Sequence, residues 1–326
     1  MRRVWLVGLA AAIALAAFIY LNNTSLLATP HAHKPTLLAH RGLHQTFATD
    51  GLKGDTCTAE RIHPPEHGFL ENTLASMEAA FRLGADIVEL DIHPTTDGHF
   101  AVFHDWTLDC RTDAKGVTRE RTLAELKALD IGHGYTADGG KTFPFRGKGV
   151  GLMPSLAEVL ARFPGKRFLI NIKSDDPLEG TLLARALMGL PPRQRSLLMI
   201  YGGSRPIATF RAALPNVPVM SRSSLKDCLL RYLAVGWASI LPAACEHTLL
   251  LVPVSHAHWL WGWPDRFLGR MRGAGTEVFV LGAWSGETFT SGLDDADAFR
   301  RLPPGYSGGI WTNRIDRIAP MAASRH

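Results

Sequence analysis

The feature that most limits how this chain can fold is a regular alternation of short apolar segments with amphipathic helical segments, beginning at Thr36. Such alternation is typical of βα units, whose strands pair in parallel beneath covering helices. Eight units favour an α/β fold of the (β/α)8 (TIM) barrel type, although a doubly wound open sheet has similar local patterns. The predicted strands are residues 36–39, 87–91, 168–172, 197–201, 217–221, 249–254, 278–281 and 309–312.

Local signals refine this outline. A further short strand is expected at 100–103, outside the barrel count. Asn72 is predicted to cap the helix that begins beside it, and Ser155 with a glutamate three residues later forms a capping box for the next helix. Two long segments, 43–70 and 131–153, interrupt the rhythm and are rich in Gly, Pro, His and charged residues. Loops of this length are often functional.

The N-terminal segment predicts a single hydrophobic helix ahead of the barrel. Two arginines precede an uninterrupted run of 18 apolar or small residues, 4–21. A helix of that length just crosses a hydrocarbon core of about 30 Å, and the arginines predict that the N-terminus stays cytoplasmic while the rest is exported. A cleaved signal peptide is the alternative, but the run exceeds the roughly 7–15 apolar residues usual there, so we favour a retained anchor.

The expected organisation is therefore a signal anchor or signal peptide at 1–22, a linker at 23–35 and the barrel at 36–326. This arrangement predicts an exported protein, anchored in a bacterial inner membrane and facing the periplasm. The net charge of +5 suits an anionic substrate or membrane surface. Because the basic residues are scattered, nucleic-acid binding is not expected.

Cysteine usage agrees with export. The four cysteines are an even number, which permits two disulfides in three possible connectivities. Cys57 lies in a long polar loop and Cys110 follows a histidine–aspartate turn, so both are expected near the active site. We predict the pairs Cys57–Cys110 and Cys228–Cys245.

The segment Glu89-Leu90-Asp91 ends the second predicted strand and carries the first chemical signal. Side chains alternate along a strand, so the two carboxylates point the same way, about 7 Å apart. A hard divalent cation such as Mg²⁺ or Ca²⁺ would relieve their repulsion, because it prefers carboxylate oxygens. Many strands simply end in solvated acids, which is the alternative for this pair taken alone.

Other polar residues also follow predicted strands, where the active site of a barrel lies. His40 and His104 are two groups that can divide proton transfer, one to the leaving group and one from the nucleophile. Arg41 and Lys173 are cations suited to phosphate. Glu71 precedes a helix and could reach a metal or orient a histidine. The alternatives are a surface His-Arg pair, a solvated lysine and a carboxylate that stabilises the helix dipole.

The order of these motifs is the specific signal, and it resembles the signature of the glycerophosphodiester phosphodiesterase family. The similarity is dense from about 37 to 173 and thinner beyond. The motifs are His40-Arg41-Gly42, Glu71-Asn72-Thr73, Gly84 to Asp91, Thr96-Asp97-Gly98, His104-Asp105, Pro154-Ser155-Leu156 with Glu158-Val159-Leu160, Ile172-Lys173 and Gly309 to Asn313.

The resemblance implies a TIM barrel that cleaves glycerophosphodiesters to sn-glycerol 3-phosphate and an alcohol with a divalent cation, Mg²⁺ or Ca²⁺. By this match, the two histidines would be the acid and base, and the arginine and lysine would contact the phosphate. The two strand carboxylates would bind the metal, with Glu71 as a further ligand or a residue behind one.

Two positions depart from the family pattern. Asn171 stands where a carboxylate usually completes the metal site, and Asn313 replaces a common closing aspartate. The Asn171 amide oxygen can still bind a hard cation. We expect weaker metal affinity, or replacement of that ligand by water or Asp175. A catalytically impaired, membrane-tethered phospholipid-binding protein is therefore kept as an alternative.

Three tryptophans, Trp259, Trp261 and Trp263, follow the sixth predicted strand. That position predicts a loop on the catalytic face, where it could contact lipid because tryptophan favours the membrane interface. Aromatic packing over the barrel mouth is the alternative. This loop is the reason to keep lysophospholipase D-type cleavage of lysophospholipids, with or without a cyclic phosphate, as an alternative activity.

Overall fold

The computed structural model of the protein describes residues 2–28, 34–53, 56–284 and 291–324. Nine strands lie within these ranges. They are β1 Thr36–Ala39, β2 Ile87–Pro94, β3 Phe100–Val102, β4 Arg167–Ile172, β5 Leu198–Gly202, β6 Val219–Ser221, β7 Leu249–Pro253, β8 Glu277–Leu281 and β9 Gly309–Thr312.

The sheet is a nearly closed barrel. Its parallel strands follow the order β6-β5-β4-β2-β1-β9-β8-β7, and β3 pairs antiparallel to β2 outside this path. Across the gap between β6 and β7, the Thr248 hydroxyl donates to the Val219 carbonyl at 2.6 Å. The predicted barrel is confirmed, and the open doubly wound sheet is excluded, because the strands follow chain order around the ring and the last strand, β9, pairs with the first.

Twelve α-helices lie in the described ranges. They are α1 Arg2–Asn23, α2 Leu74–Arg82, α3 Leu123–Lys127, α4 Leu156–Arg162, α5 Pro177–Met188, α6 Pro192–Arg195, α7 Ser204–Ala213, α8 Arg222–Val235, α9 Val254–Ala257, α10 Asp265–Gly273, α11 Ala296–Arg300 and α12 Ile315–Ala323.

Helix caps follow the sequence with one exception. Ser155 accepts from the Glu158 backbone N–H and closes the predicted capping box of α4. The prediction for Asn72 is wrong, because Thr73 caps α2 and accepts from the Ser76 backbone N–H. Asn72 instead adopts a left-handed conformation with φ 57° just before the helix. A non-glycine residue held in that region often marks a functional site.

Packing divides into three apolar clusters. The barrel interior is filled by inward-facing residues such as Leu38, Leu169, Phe279 and Trp311, and a larger cluster lies between the sheet and the outer helices. The third cluster joins the two long insertions, since Phe47 and Ile62 of the first share it with Tyr135 and Phe145 of the second. The insertions therefore form a compact cover beside β3.

Both predicted disulfides are present. Cys57–Cys110 joins the first insertion to the segment after β3, and Cys228–Cys245 ties α8 to the turn before β7. The first bridge lies on the catalytic side of the barrel, and the second lies at the opposite end. Each therefore stabilises a different end of the molecule.

Helix α1 has 22 residues, none of them buried, and an 18-residue window within it has a mean hydropathy of 2.4. The helix is long and apolar enough to cross a membrane, a property that signal sequences share.

The tryptophan loop differs from its expected placement. Trp261 donates to the Leu233 carbonyl near the end of α8, and Trp263 packs on Phe267 and on Tyr306, which precedes β9. These contacts lie at the N-terminal ends of the strands, because the loop after β7 runs down the outside of the barrel. Trp259 is 68% exposed.

Candidate active site

The polar cluster lies at the C-terminal ends of the barrel strands, as the sequence predicts. Asp91 of β2 is in register with Asn171 of β4, which is in turn in register with Tyr201 of β5. Glu89 and Asp91 are buried and share one face of β2. Strand register therefore brings together groups that are about a hundred residues apart in the sequence.

Arg41 is the centre of this cluster. Its backbone N–H donates to Glu89 Oε2 at 3.1 Å, its Nε lies 3.3 Å from Asp91 Oδ2, and its Nη1 donates to Glu71 at 3.0 Å. The residue adopts a left-handed conformation with φ 53°. The next residue must be glycine, because a Cβ on Gly42 would lie 2.6 Å from the Ser76 hydroxyl. The His-Arg-Gly motif is thus a turn that points its backbone and side chain at three carboxylates.

The two strand carboxylates are electrostatically frustrated. Burial and the neighbouring Asp91 charge raise the pKa of Glu89 to about 8, and the Tyr201 hydroxyl donates to Glu89 Oε1 at 2.6 Å. Burial would also raise the pKa of Asp91, but Lys173, His104 and Arg41 hold it well below its ordinary value. The pair therefore lacks one compensating positive charge when both carboxylates are ionised.

Asn171 points its side-chain nitrogen at this pair and donates to Asp91 Oδ1 at 2.8 Å. Lys173 Nζ lies 3.5 Å from the same oxygen. Asp175 does not join the cluster, since its carboxylate lies 3.2 Å from the guanidinium of Arg205.

Within the described ranges, no group of three or more His, Cys, Asp or Glu side chains is arranged to hold a metal. Glu71 is taken by two arginines, at 3.0 Å from Arg41 and 3.1 Å from Arg111. Two carboxylates and the Asn171 amide remain. The amide presents its nitrogen to Asp91, so its oxygen faces the site only after the amide turns over. With that rotation the donor set suits a hard cation, which would also supply positive charge beside Glu89.

His40 is held neutral and oriented by two residues, Asn313 and Asp294. Its Nδ1 lies 2.6 Å from Asn313 Oδ1, and its Nε2 accepts from Arg41 Nε at 3.1 Å. Asp294 accepts from the Asn313 side-chain nitrogen at 2.8 Å, which turns the amide oxygen toward the ring. Burial, followed by the Arg41 charge, lowers the pKa of His40 well below its ordinary value. Asn313 and Asp294 therefore place the proton on Nδ1 and leave Nε2 with a lone pair.

His104 has a charged partner instead. Its Nδ1 lies 2.7 Å from Asp105 Oδ1, and Asp105 is bound in turn by Arg111. Arg111 is buried and also donates to the Tyr135 hydroxyl at 3.1 Å and the Thr58 hydroxyl at 2.6 Å. Burial and the charges of Arg41 and Lys173 lower the pKa of His104. Asp105 orients the imidazole and favours its protonated form relative to a neutral partner.

Comparison with known sequences agrees with this geometry. The model of the family described as "Glycerophosphoryl diester phosphodiesterase family" matches residues 40–183, which include both histidines and all four predicted metal donors. A glycerophosphodiester phosphodiesterase of Bacillus subtilis (strain 168) is 31% identical over 192 residues, which cover 54% of this chain and 64% of the relative. Residues 40–183 of the chain are therefore similar to the glycerophosphoryl diester phosphodiesterase family.

Another relative with the same description, from Caldanaerobacter subterraneus subsp. tengcongensis, is 42% identical over 103 residues, covering 32% of this chain and 39% of the relative. The chain thus matches less than two thirds of the length of both relatives.

Solved structures of the family have the same barrel. A glycerophosphodiester phosphodiesterase from Agrobacterium tumefaciens has a TM-score of 0.57 at 22% identity, covering 89% of this chain and 99% of its own. An Oleispira antarctica phosphodiesterase, solved in complex with the product sn-glycerol-3-phosphate, has a TM-score of 0.55 at 19% identity, covering 89% and 97%. At these identities the similarity establishes the fold alone, and it confirms the barrel.

Family motifs alone did not identify every residue that reaches the site. Tyr201 could have been found, since it ends a predicted strand at the catalytic face. Arg111 follows Cys110, so the predicted disulfide was an indirect signal. His44 is buried beside His40, at 5.9 Å between ring centroids, and its Nε2 has no hydrogen-bond partner within the described ranges. Asp294 had no sequence signal, because only the fold brings it to Asn313.

Proposed function

We propose that this protein is a phosphoric diester hydrolase that cleaves glycerophosphodiesters to sn-glycerol 3-phosphate and an alcohol, using His40 and His104 for proton transfer. The observation that carries the proposal is that one polar network joins both histidines at the C-terminal ends of the strands. His40 accepts from Arg41, Glu71 lies between Arg41 and Arg111, and Arg111 binds Asp105, the partner of His104. The sequence similarity supports the reaction class, because the relatives above are described as glycerophosphodiester phosphodiesterases.

The partners of the two histidines suggest different roles. His40 is neutral: its unprotonated Nε2 accepts from Arg41, and a neutral amide lies behind Nδ1, which suits the general base. His104 has the Asp105 carboxylate behind it, which stabilises an imidazolium and suits the general acid for the leaving alkoxide. Acid and base residues in such a pair typically contribute about 10²–10⁴-fold each to the rate.

Lys173 and Arg41 would bind the phosphate. Lys173 is partly exposed, with 20% of its side chain accessible, and it is held beside the cluster by Asp91. Its ammonium can therefore meet an incoming phosphodiester and stabilise charge that develops on the phosphoryl oxygens. Arg41 carries a guanidinium suited to phosphate oxygens.

Glu89, Asp91 and the amide oxygen of Asn171 would hold a divalent cation, Mg²⁺ or Ca²⁺. Bound there, the cation would act as a Lewis acid that polarises the phosphoryl group. Charge balance supports a cation here. With all carboxylates ionised, four anions face three cations, which leaves a net charge of −1. A bound phosphodiester would bring the net charge to −2. The groups counted are Glu71, Glu89, Asp91 and Asp105 against Arg41, Arg111 and Lys173.

Headgroup release tests the proposal. The full chain is assayed on glycerophosphocholine with Mg²⁺, Ca²⁺ or EDTA, and phosphorus NMR separates sn-glycerol 3-phosphate from a cyclic phosphate. We expect metal-dependent release that falls by about 10²–10⁴-fold in His40→Gln. The matched control is His258→Gln, an exposed histidine outside the site.

Release that continues undiminished in EDTA would contradict the role of the cation. Binding of the diester without turnover in any metal would instead favour the phospholipid-binding alternative. A cyclic product would replace hydrolysis by attack of a substrate hydroxyl.

A further inference from the structure

The end of α1 is fixed to the barrel rather than joined to it by a flexible stalk. Arg270 Nη2 donates to the Asn22 carbonyl at 2.8 Å, and Arg270 Nη1 donates to Asn23 Oδ1 at 3.1 Å. Arg266 reaches one turn further and donates to the Leu27 carbonyl at 2.7 Å. The last carbonyls of a helix lack partners within the helix, and cations there are favoured by its dipole. These two arginines therefore cap α1 and its continuation.

Arg266 and Arg270 form an arginine clamp on the end of α1, and Arg270 is itself held in place by the barrel. Arg270 Nη1 also donates to the Tyr232 hydroxyl at 2.7 Å and to the Gly236 carbonyl at 3.0 Å, both at the end of α8. Asn23 donates in return to the Trp237 carbonyl at 2.9 Å. Since Tyr232 is fully buried, the junction is continuous with the main core. The position of the barrel relative to the end of α1 is thus set by several hydrogen bonds.

The rest of α1 makes no such contact. Residues 2–18 are all exposed, and the first ring contact with the barrel is that of Phe18 with Trp237, at 6.4 Å. A helix lying on the barrel surface would bury one face, whereas this helix buries none. It projects from the barrel at the point where its apolar run ends.

An exposed apolar patch surrounds that point. Leu230, Leu233 and Trp237 are spaced to share one side of α8 and of the turn that follows. Leu230 is 66% exposed and Leu233 37%, whereas Trp237 is half-buried. Ile240, three residues further, is 54% exposed, and Leu26, beside the arginine clamp, is 81% exposed. We name these five residues the basal patch. Contiguous exposed apolar groups of this kind mark an interaction surface.

The basal patch lies at the end of the barrel opposite to the active site. Residues 236–240 lead from α8 into the start of β7, so they lie at the N-terminal ends of the strands. The histidines and carboxylates lie at the C-terminal ends. The strand direction of the barrel therefore separates the two surfaces.

We infer that α1 crosses a lipid bilayer and that the basal patch rests on the outer surface of that bilayer, so that the active site opens into the aqueous phase. A lipid bilayer is the expected cover of the basal patch, because the apolar run of α1 ends among these residues. If the function proposed above holds, the substrates are water-soluble glycerophosphodiesters that diffuse to the site, rather than lysophospholipids drawn from the same bilayer.

Site-directed quenching tests the orientation. All four native cysteines are in disulfides, so a single introduced cysteine can carry a fluorophore. The full chain is reconstituted into phosphatidylethanolamine–phosphatidylglycerol vesicles that contain nitroxide-labelled lipid. The label is placed at Ile240→Cys in the basal patch or, as a control, at Leu178→Cys near the start of α5 on the catalytic side, 56% exposed. Neither position belongs to the site, so both variants should keep their activity.

We expect severalfold quenching at 240 and none at 178. Quenching at 178 alone would overturn the orientation, and quenching at neither position would show that the barrel stands away from the bilayer. A label at 240 that is shielded from water but not quenched would point to a second copy of the chain as the occupant.

The substrate class is tested with the same vesicles. Soluble glycerophosphocholine should be hydrolysed severalfold faster than lysophosphatidylcholine placed in the bilayer, and the reverse order would overturn this part of the inference. If neither is cleaved while position 240 alone is quenched, the proposed function and the substrate class fail but the docking stands.

Discussion

Exchanging the carboxyl and amide groups of Asp294 and Asn313 is expected to raise the pKa of His40 and to move the acidic limb of the pH–rate profile to higher pH. In the unmodified protein the neutral amide oxygen of Asn313 lies 2.6 Å from His40 Nδ1, and the Asp294 carboxylate lies one hydrogen bond further away. The Asp294→Asn, Asn313→Asp double variant keeps the hydrogen bond between positions 294 and 313 but places the negative charge against the ring.

The magnitude follows from that contact. An opposite charge within hydrogen-bond distance shifts a pKa by about 1–3 units, and each unit corresponds to about 1.4 kcal/mol. The charged form of His40 is the one stabilised, so its pKa rises. If His40 is the base proposed above, it accepts a proton only when neutral, and in the double variant the neutral fraction is lost at a higher pH. The acidic limb of the pH profile of kcat/KM should move to higher pH by the same amount, because that profile reports the pKa values of the free enzyme.

The two single variants, Asp294→Asn and Asn313→Asp, complete a double-mutant cycle. Asn313→Asp alone would set two carboxylates at the 2.8 Å contact now made by an amide and a carboxylate. Asp294→Asn alone would let the Asn313 amide turn its nitrogen to His40 and favour the other tautomer. Both singles should therefore lose more activity at the plateau pH than the double variant does, which is the signature of coupled neighbours.

The assay is kcat/KM for glycerophosphocholine across pH, combined with an NMR titration of the His40 ring assigned by comparison with His40→Gln. Unchanged thermal unfolding would serve as the control for folding. If the ring pKa rises while the acidic limb stays in place, His40 is not the base. If the pKa itself does not move in the double variant, the Asn313 contact does not exist in solution.

Three further predictions follow from the same geometry. Asn171→Asp should tighten Mg²⁺ binding and lower the unfolding temperature of the metal-free protein, because the added charge faces Asp91; calorimetry that finds equal affinity would refute the assigned ligand. Replacing Cys57 and Cys110 by serine should lower the free energy of unfolding by about 4 kcal/mol, because the disulfide closes a loop of 53 residues. It should also lower kcat, because Arg111 loses support. The same change at Cys228 and Cys245, measured by denaturant unfolding and kcat, should affect stability alone. His104→Gln should lower kcat by about 10²–10⁴-fold without weakening Mg²⁺ binding, and a loss of metal affinity in titration would contradict its role.

Much of the barrel could be predicted from the sequence because its signals are local. Each strand is a short apolar run between turn residues, and the observed strands begin and end within a few positions of those predicted. The His40, Glu89 and His104 motifs could be found for the same reason, because residues that end strands of a parallel barrel must meet at one edge. Helix caps were less secure, and Thr73 displaced Asn72 because the asparagine side chain binds Asp91 instead.

What the sequence alone could not specify are contacts between segments far apart in the chain. Nothing near Asp294 predicts that it fixes the amide that orients His40, nothing near Glu71 predicts that two arginines occupy its oxygens, and the tryptophan loop runs to the end of the barrel opposite to the expected one. Periodicity and caps are encoded within a few residues, whereas burial, pKa and hydrogen-bond partners depend on which distant groups share a volume. Tertiary structure decides those, since desolvation and Coulomb energy act through space and not along the chain.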